Sequence, residues 1–235
     1  MSTPRTSLVC CGLVGTMVGD GLDQESMVER AFAEAIATQG VVTGTSDFAR
    51  DMAQISRGRG RSAADVFDSL FPGNQARAQA AGIAFERSYR SAVGRTGLAA
   101  MPGAEEAIDK LTGSGIQVCL LTGLPRATLS LILDTLGWRA RGQLALCPED
   151  APRAFPWPDL VLTALLRLGA DDVREIAVAS GTEHGVAAGR RAGARIVAGV
   201  RTGPHTPARM RDAGATDLIE SVAQLPDLVA SRGEG

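Results

Sequence analysis

The chain has 235 residues, 45% hydrophobic and 21% charged, enough for one sizeable domain with an insertion or for two small domains. A formal net charge of -2 argues against a general nucleic-acid surface, which needs excess positive charge. No apolar run reaches the roughly 18 residues needed to span a bilayer, and the start "MSTPRTSLVCCGLVG" lacks a signal-like apolar run, so the expectation is a cytoplasmic protein with no membrane partner.

In chain order, "SLVCC" (7–11) is the first apolar run and reads as a buried strand leading into a glycine-marked turn. Residues from about 20 to 97 then show no convincing strand. "QESMVERAFAEAIATQG" and "ARAQAAGIAFERSYRSAV" read as amphipathic helices, with "SRGRGRSAADVFDSL" between them. After that insertion, strand and helix alternate. "GAEEAIDKLTGSG" (103–115) has early glutamates and a glycine exit, "IQVCLLT" (116–122) is a strand, and "PRATLSLILDTLGW" (125–138) is a helix with proline in its first turn. "PDLVLTALLRLGA" (158–170) repeats that helix design. "EIAVAS" (175–180) is a strand, "HGVAAGRRAGA" (184–194) a short helix, and "RIVAGV" (195–200) a fourth strand. The expected fold is a doubly wound parallel α/β core formed by residues 1–19 and 98–235, with an all-helical cap formed by residues 20–97. The tail "SRGEG" reads as disordered.

Cys10, Cys11 and Cys119 lie in apolar runs, and Cys147 completes the set; no spacing resembles a metal knuckle. They read as buried small hydrophobes in a reducing compartment. Arginine supplies almost all the basic charge, Lys110 being the only lysine, and the Ala, Gly and Arg richness points to a GC-rich genome.

In an open α/β sheet, ligands bind at the carboxyl ends of the strands. Here those ends are "CGLVGT" (11–16), "TGLPR" (122–126) and "SGTEHG" (180–185), which bring small residues and backbone N–H groups together; the second and third also open onto helix N-termini that favour anions.

"LVCCGLVGTMVGDG", "MPGAEEAIDKL", "CLLTG", "SGTEHGVAAGRRAGA", "VRTGPHT" and "DAGATDLIESVAQLPDLV" together resemble the haloacid dehalogenase-like (HAD) superfamily, in its phosphonatase-like branch with a helical cap. The resemblance covers nearly the whole chain. It implies a nucleophilic aspartate where Gly12 stands, a general acid/base at Val14, a phosphate-binding hydroxyl at Thr122, and two metal-binding acids at Gly181 and Gly185. It also implies a basic residue where "FPWP" places Phe155, with Arg153 two residues away. Glycine neither attacks phosphorus nor holds Mg²⁺. In the phosphonoacetaldehyde-hydrolysing branch a cap lysine forms an imine; the corresponding segment offers Arg57, Arg59 and Arg61, which form no Schiff base.

Loss of four acid positions suggests a metal-free pocket for a phosphate or sulfate ester, needing no cofactor. Its expected anion-binding residues are Gly12, Gly15, Thr16, Met17, Thr122, Gly123 and Thr182, with Arg59 and Arg61 from the cap. The leading reading is loss of the anionic group by elimination or intramolecular displacement. In its pattern of losses the chain is similar to the HAD-like component of enzymes that close aziridine rings in actinomycete natural-product pathways. Asp20 and His184 are the candidate acid–base residues. Each has a plain alternative: Asp20 as a turn residue in "VGDGLD", His184 as a polar residue at a helix start. Likewise Thr122 and Thr182 read as helix caps, Glu183 as a first-turn acid, His205 as structural or surface, and the arginine run as a solvated loop. Met17 and Phe155 either dry the pocket or fill it. The alternative function is a pseudoenzyme that serves as a binding or regulatory subunit. A small molecule with an anionic leaving group is the expected partner, and a second subunit or a homodimer through the cap the expected assembly.

Overall fold

The computed structural model describes residues 5–19 and 26–233. Six parallel strands form one sheet in the order β3-β2-β1-β4-β5-β6. They are β1 (Leu8–Gly12), β2 (Gln117–Leu121), β3 (Leu144–Leu146), β4 (Ile176–Ser180), β5 (Ile196–Val200) and β6 (Asp217–Ile219). The chain order reverses on either side of β1, so β1 and β4 flank the switch point where ligands bind in such sheets.

β1, β2, β4 and β5 match the four apolar runs, because a strand covered on both faces needs continuous hydrophobicity. β3 and β6 were not expected; each has three residues at an edge, too short to show a pattern. Alternation along β1 sends Leu8 and Cys10 to one face and Val9 and Cys11 to the other. The first face packs on α7 (Asp159–Leu168) and α8 (Glu183–Ala192), with Met210 of α9 (Pro207–Asp212). The second packs on α5 (Ala104–Gly113), α6 (Arg126–Leu136) and α10 (Leu225–Gly233). All four cysteines are free and buried. The tail departs from expectation: α10 carries Ser231 and Arg232 in helix.

The chain leaves the core at Val18 and Gly19 and returns beside itself at Ala99–Met101, with Gly19 N–H donating to Ala99 O (2.9 Å) and Met101 N–H to Met17 O (2.8 Å). Between those points the described residues form α1 (Met27–Thr38), α2 (Ser46–Arg57), α3 (Ala63–Leu70) and α4 (Gln75–Thr96). Each begins at a side chain that accepts a first-turn N–H: Ser26, Thr45, Ser62 and Asn74. Such caps contribute about 1 kcal/mol each. Phe32, Phe67, Phe85 and Tyr89 pack their rings together at centroid separations of 4.6–6.2 Å and hold α1, α3 and α4. α2 was not expected; only Asp51 and Ile55 of its residues are buried, so its apolar stripe is thin. Among the described residues no helix is long and apolar enough to cross a membrane.

Candidate functional site

Three core loops and one insertion loop line a cavity of about 60 Å³ that is partly open to solvent. At roughly 10–15 Å³ per water it holds a handful of waters. The β1 end gives Gly12, Leu13, Val14 and Thr16, the β2 end gives Thr122, Gly123 and Leu124, and the β4 end gives Ser180 and Thr182. The insertion gives Val28 and Phe32 from α1 and the loop Gly58–Gly60 with Arg61. Leu121 and Phe155 add to the lining, which among the described residues contains no carboxylate and no imidazole.

The acid positions are more than empty. A side chain at Gly12 would start 3.0 Å from Thr16 Oγ1 and 3.4 Å from Ser180 Oγ. One at Gly181 would start 2.5 Å from Gly15 O and 2.9 Å from Gly203 Cα, and one at Gly185 would meet Ser180 Oγ. At Gly181 and Gly185 the Gly15 and Gly203 backbone and Ser180 stand where a carboxylate side chain would begin, so these residues do not fit the metal. Among the described residues no group of three or more His, Cys, Asp and Glu could hold a metal ion.

Several of the loop N–H groups are taken up within the fold, contrary to expectation. Gly15 takes φ +78°, donates its N–H to Val18 O (2.8 Å), and does not line the cavity. Gly181 N–H donates to Thr16 Oγ1 (2.8 Å), Leu124 N–H to Thr122 Oγ1 (3.1 Å) and Gly185 N–H to Thr182 Oγ1 (3.2 Å). Thr16, Thr122 and Thr182 therefore stand between main chain and cavity, each accepting an N–H bond that polarises its own O–H as a donor. Thr182 is also the N-cap of α8, so the capping and site-facing roles coincide in one residue. Ser180 was missed by sequence reasoning. Its Oγ accepts from Thr182 N–H (3.1 Å), and its place at the end of β4 beside the lost acid was the available signal.

Several expectations are corrected. Met17 is fully buried in the core and lines no part of the cavity, while Phe155 does line it. Arg59 lines the cavity but is committed: its Nη1 donates to Glu29 Oε1 (3.0 Å) and Ser26 Oγ (2.9 Å) inside the insertion. Arg61 also lines the cavity and joins no ion pair with a described residue. Arg153 does not stand in for the lost base, because it forms a two-pronged pair with Asp159 at 2.9 Å and lies over Trp157. Asp20 lies outside the described residues.

His184 is not among the cavity residues; it faces a surface groove beside Arg191 and Arg209. Its Nδ1 is 2.9 Å from Arg59 O. A carbonyl only accepts, so Nδ1 carries the proton and the neutral ring leaves Nε2 as the basic nitrogen. Burial lowers its pKa below the usual value, with Arg61 and Arg209 adding to that, against the Arg59 carbonyl and Glu183. His205, expected to be structural or surface, is buried. Its Nδ1 accepts the Glu183 N–H (2.9 Å), and burial lowers its pKa as well.

The insertion closes directly on the core. Gly123 packs on the backbone of Gly60 and Arg61, and a side chain there would start 2.6 Å from Gly60 O. Gly123 O accepts from Ala63 N–H (3.1 Å), and Gly60, at φ +95°, seats against Thr182.

Residues 7–193 match a family model described as haloacid dehalogenase-like hydrolase. The chain belongs to this family. It is 33% identical over 103 residues to the phosphonoacetaldehyde hydrolase of Pseudomonas paraeruginosa, a match covering 43% of this chain and 37% of that protein. The corresponding Pseudomonas putida protein is 30% identical over 108 residues, covering 45% and 38%. The chain thus matches well under half the length of these curated relatives. Among solved structures, a hydrolase from Pseudomonas syringae superposes with a TM-score of 0.82 at 23% identity, covering 97% of this chain and 99% of that one. A phosphonoacetaldehyde hydrolase-like protein from Oleispira antarctica gives 0.83 at 18% identity, covering 100% and 95%. At these identities the structural likeness shows the fold alone.

Proposed function

We propose that this HAD-family protein works without Mg²⁺ and without an aspartyl nucleophile. Its cleft binds a small metabolite carrying a sulfate or phosphate ester and promotes loss of that group by the substrate's own nucleophile. The observation that carries this reading is the filling of the Gly181 and Gly185 positions by the Gly15 backbone and Ser180, with Thr16 and Ser180 crowding Gly12. What remains for an anion is the polarised hydroxyls of Thr16, Thr122 and Thr182 and the charge of Arg61.

In the displacement, a neutral amine or similar nucleophile attacks the carbon bearing the ester. The C–O bond breaks and sulfate or phosphate departs with the electron pair. The hydroxyl donors and Arg61 offset the charge growing on the leaving oxygen. The described lining residues carry no carboxylate or imidazole, so in this reading the proton on the new ring nitrogen passes to water after release. Aziridine closure is one reaction of this kind. Phosphonoacetaldehyde hydrolysis, named for the relatives, needs an imine-forming lysine. Lys110 stands on α5, exposed and outside the cavity lining.

A second reading is favoured by a specific observation: the insertion seated on the core and the N–H groups of Gly15, Leu124, Gly181 and Gly185 taken up within the loops fit a binding or regulatory subunit that performs no turnover. Both readings exclude Mg²⁺-dependent phosphatase action. Purified protein tested on generic phosphate esters should release no phosphate with or without Mg²⁺, and EDTA-sensitive turnover overturns the proposal. Sulfate should raise the melting temperature more than chloride at equal ionic strength, and equal effects favour the vestigial-pocket reading.

A further inference from the structure

The cavity is two-sided in its chemistry. Among the described lining residues the hydroxyls all come from the core loops, through Thr16, Thr122, Ser180 and Thr182. From the insertion side α1 presents Val28 and Phe32, and Leu124 and Phe155 add further apolar surface. None of these four side chains can accept or donate a hydrogen bond. The positive charge is limited as well. Arg59 is paired with Glu29, which leaves Arg61 as the cation of the lining that has no described ion-pair partner.

From this division we infer that the ligand is a short alkyl monoester of sulfate or phosphate. Its anionic head meets the threonine hydroxyls and Arg61, and its hydrocarbon chain lies on Val28, Phe32, Leu124 and Phe155. The inference rests on the metal-free anion-binding reading above and adds the class of the organic group. A polyol ester is disfavoured because its hydroxyls would be buried against apolar side chains without partners, at about tenfold or more in affinity for each. A long chain is disfavoured because the cavity measures only about 60 Å³. A short chain gains from leaving water, and the gain rises with each methylene the wall covers.

The test is calorimetric titration of the full chain with n-butyl sulfate, n-butyl phosphate, glycerol 3-phosphate and inorganic sulfate at fixed ionic strength. The expected result is that one butyl ester binds at least tenfold tighter than glycerol 3-phosphate and inorganic sulfate; which one does so separates sulfate from phosphate. Val28→Thr keeps the side-chain shape and puts a hydroxyl on the wall. It should narrow the butyl ester's advantage several-fold and leave inorganic sulfate unchanged, whereas Arg61→Gln should weaken every anion. If inorganic sulfate binds and the butyl esters bind no tighter, or if glycerol 3-phosphate binds equally well, the alkyl assignment is overturned and the anion reading stands. If none of the four binds, both are overturned. Butyl binding untouched by either variant places the ligand elsewhere and also overturns the assignment.

Discussion

Ser180 Oγ occupies the place where a side chain at Gly185 would have to begin. Position 185 is one of the two acid positions that the family resemblance assigns to metal binding, and Ser180 is the last residue of β4. The hydroxyl is fixed there by accepting the Thr182 N–H at 3.1 Å. The loss of the acid is thus matched by a neighbour that has taken its space.

Restoring the acid should therefore be costly. Gly185→Asp should destabilise by about 1–3 kcal/mol, as overpacking does, a melting-temperature loss of roughly 2–4 °C per kcal/mol. Residue 185 has no positive φ and sits in the first turn of α8, where an acid is otherwise favourable. The cost comes from Ser180, so Ser180→Gly in the same chain should recover part of it. A thermal-denaturation double-mutant cycle measures this; additive losses contradict the steric account.

The insertion should depend on Gly60. With φ +95° and Thr182 against its α-carbon, alanine here meets both a backbone and a contact penalty. The backbone part alone is about 1–2 kcal/mol. Gly60→Ala should loosen closure, read as faster hydrogen exchange in Gly58–Arg61 and α1 with β1 and β4 unchanged. Unaltered exchange in the insertion contradicts direct seating on the core.

Stability should fall on mild acidification. The folded state holds His184 and His205 below their usual pKa, chiefly through burial. Their contribution is complete above the unfolded value of about 6.5 and declines as pH drops toward the folded values, because the unfolded chain binds more protons. Protonated His205 also cannot accept the Glu183 N–H, since both ring nitrogens then donate. His205→Asn offers an uncharged acceptor and should flatten the dependence of melting temperature on pH between 7.5 and 5.5. An unchanged slope contradicts the role given to His205.

The cysteines should be silent in the native protein. Cys147 is pushed up to about 12, chiefly by burial, and burial raises Cys11 and Cys119 as well. A thiol reagent at pH 8 should label none of the four until denaturant is added. Fast labelling of the folded chain contradicts the burial.

The four long strands were legible because each is a continuous apolar run, and the lost acids were legible because Gly12, Val14, Gly181 and Gly185 stand in recognisable loops. β3 and β6 were not, since three residues at an edge carry no periodicity. Nor was α2, which buries only Asp51 and Ile55. The site was half legible. Thr16, Thr122 and Thr182 do face the cavity, but several N–H groups expected beside them are taken up within the loops: those of Gly181, Leu124 and Gly185 donate to these hydroxyls and that of Gly15 to Val18 O. Met17 and His184 were misplaced, and Arg59, though in the lining, is committed, because their partners lie far away in the chain or in the core. Arg59 pairs with Glu29, and His184 reaches across to Arg59 O.

The central claim is that these loops have exchanged metal binding for hydroxyl-mediated anion binding. Calorimetric titration of the intact chain with MgCl₂ and then with sodium sulfate, at constant ionic strength, tests it most directly. The account predicts no saturable Mg²⁺ heat and a saturable sulfate isotherm that weakens in Thr16→Val and Arg61→Gln. Stoichiometric Mg²⁺ binding, or sulfate binding indifferent to both substitutions, contradicts it.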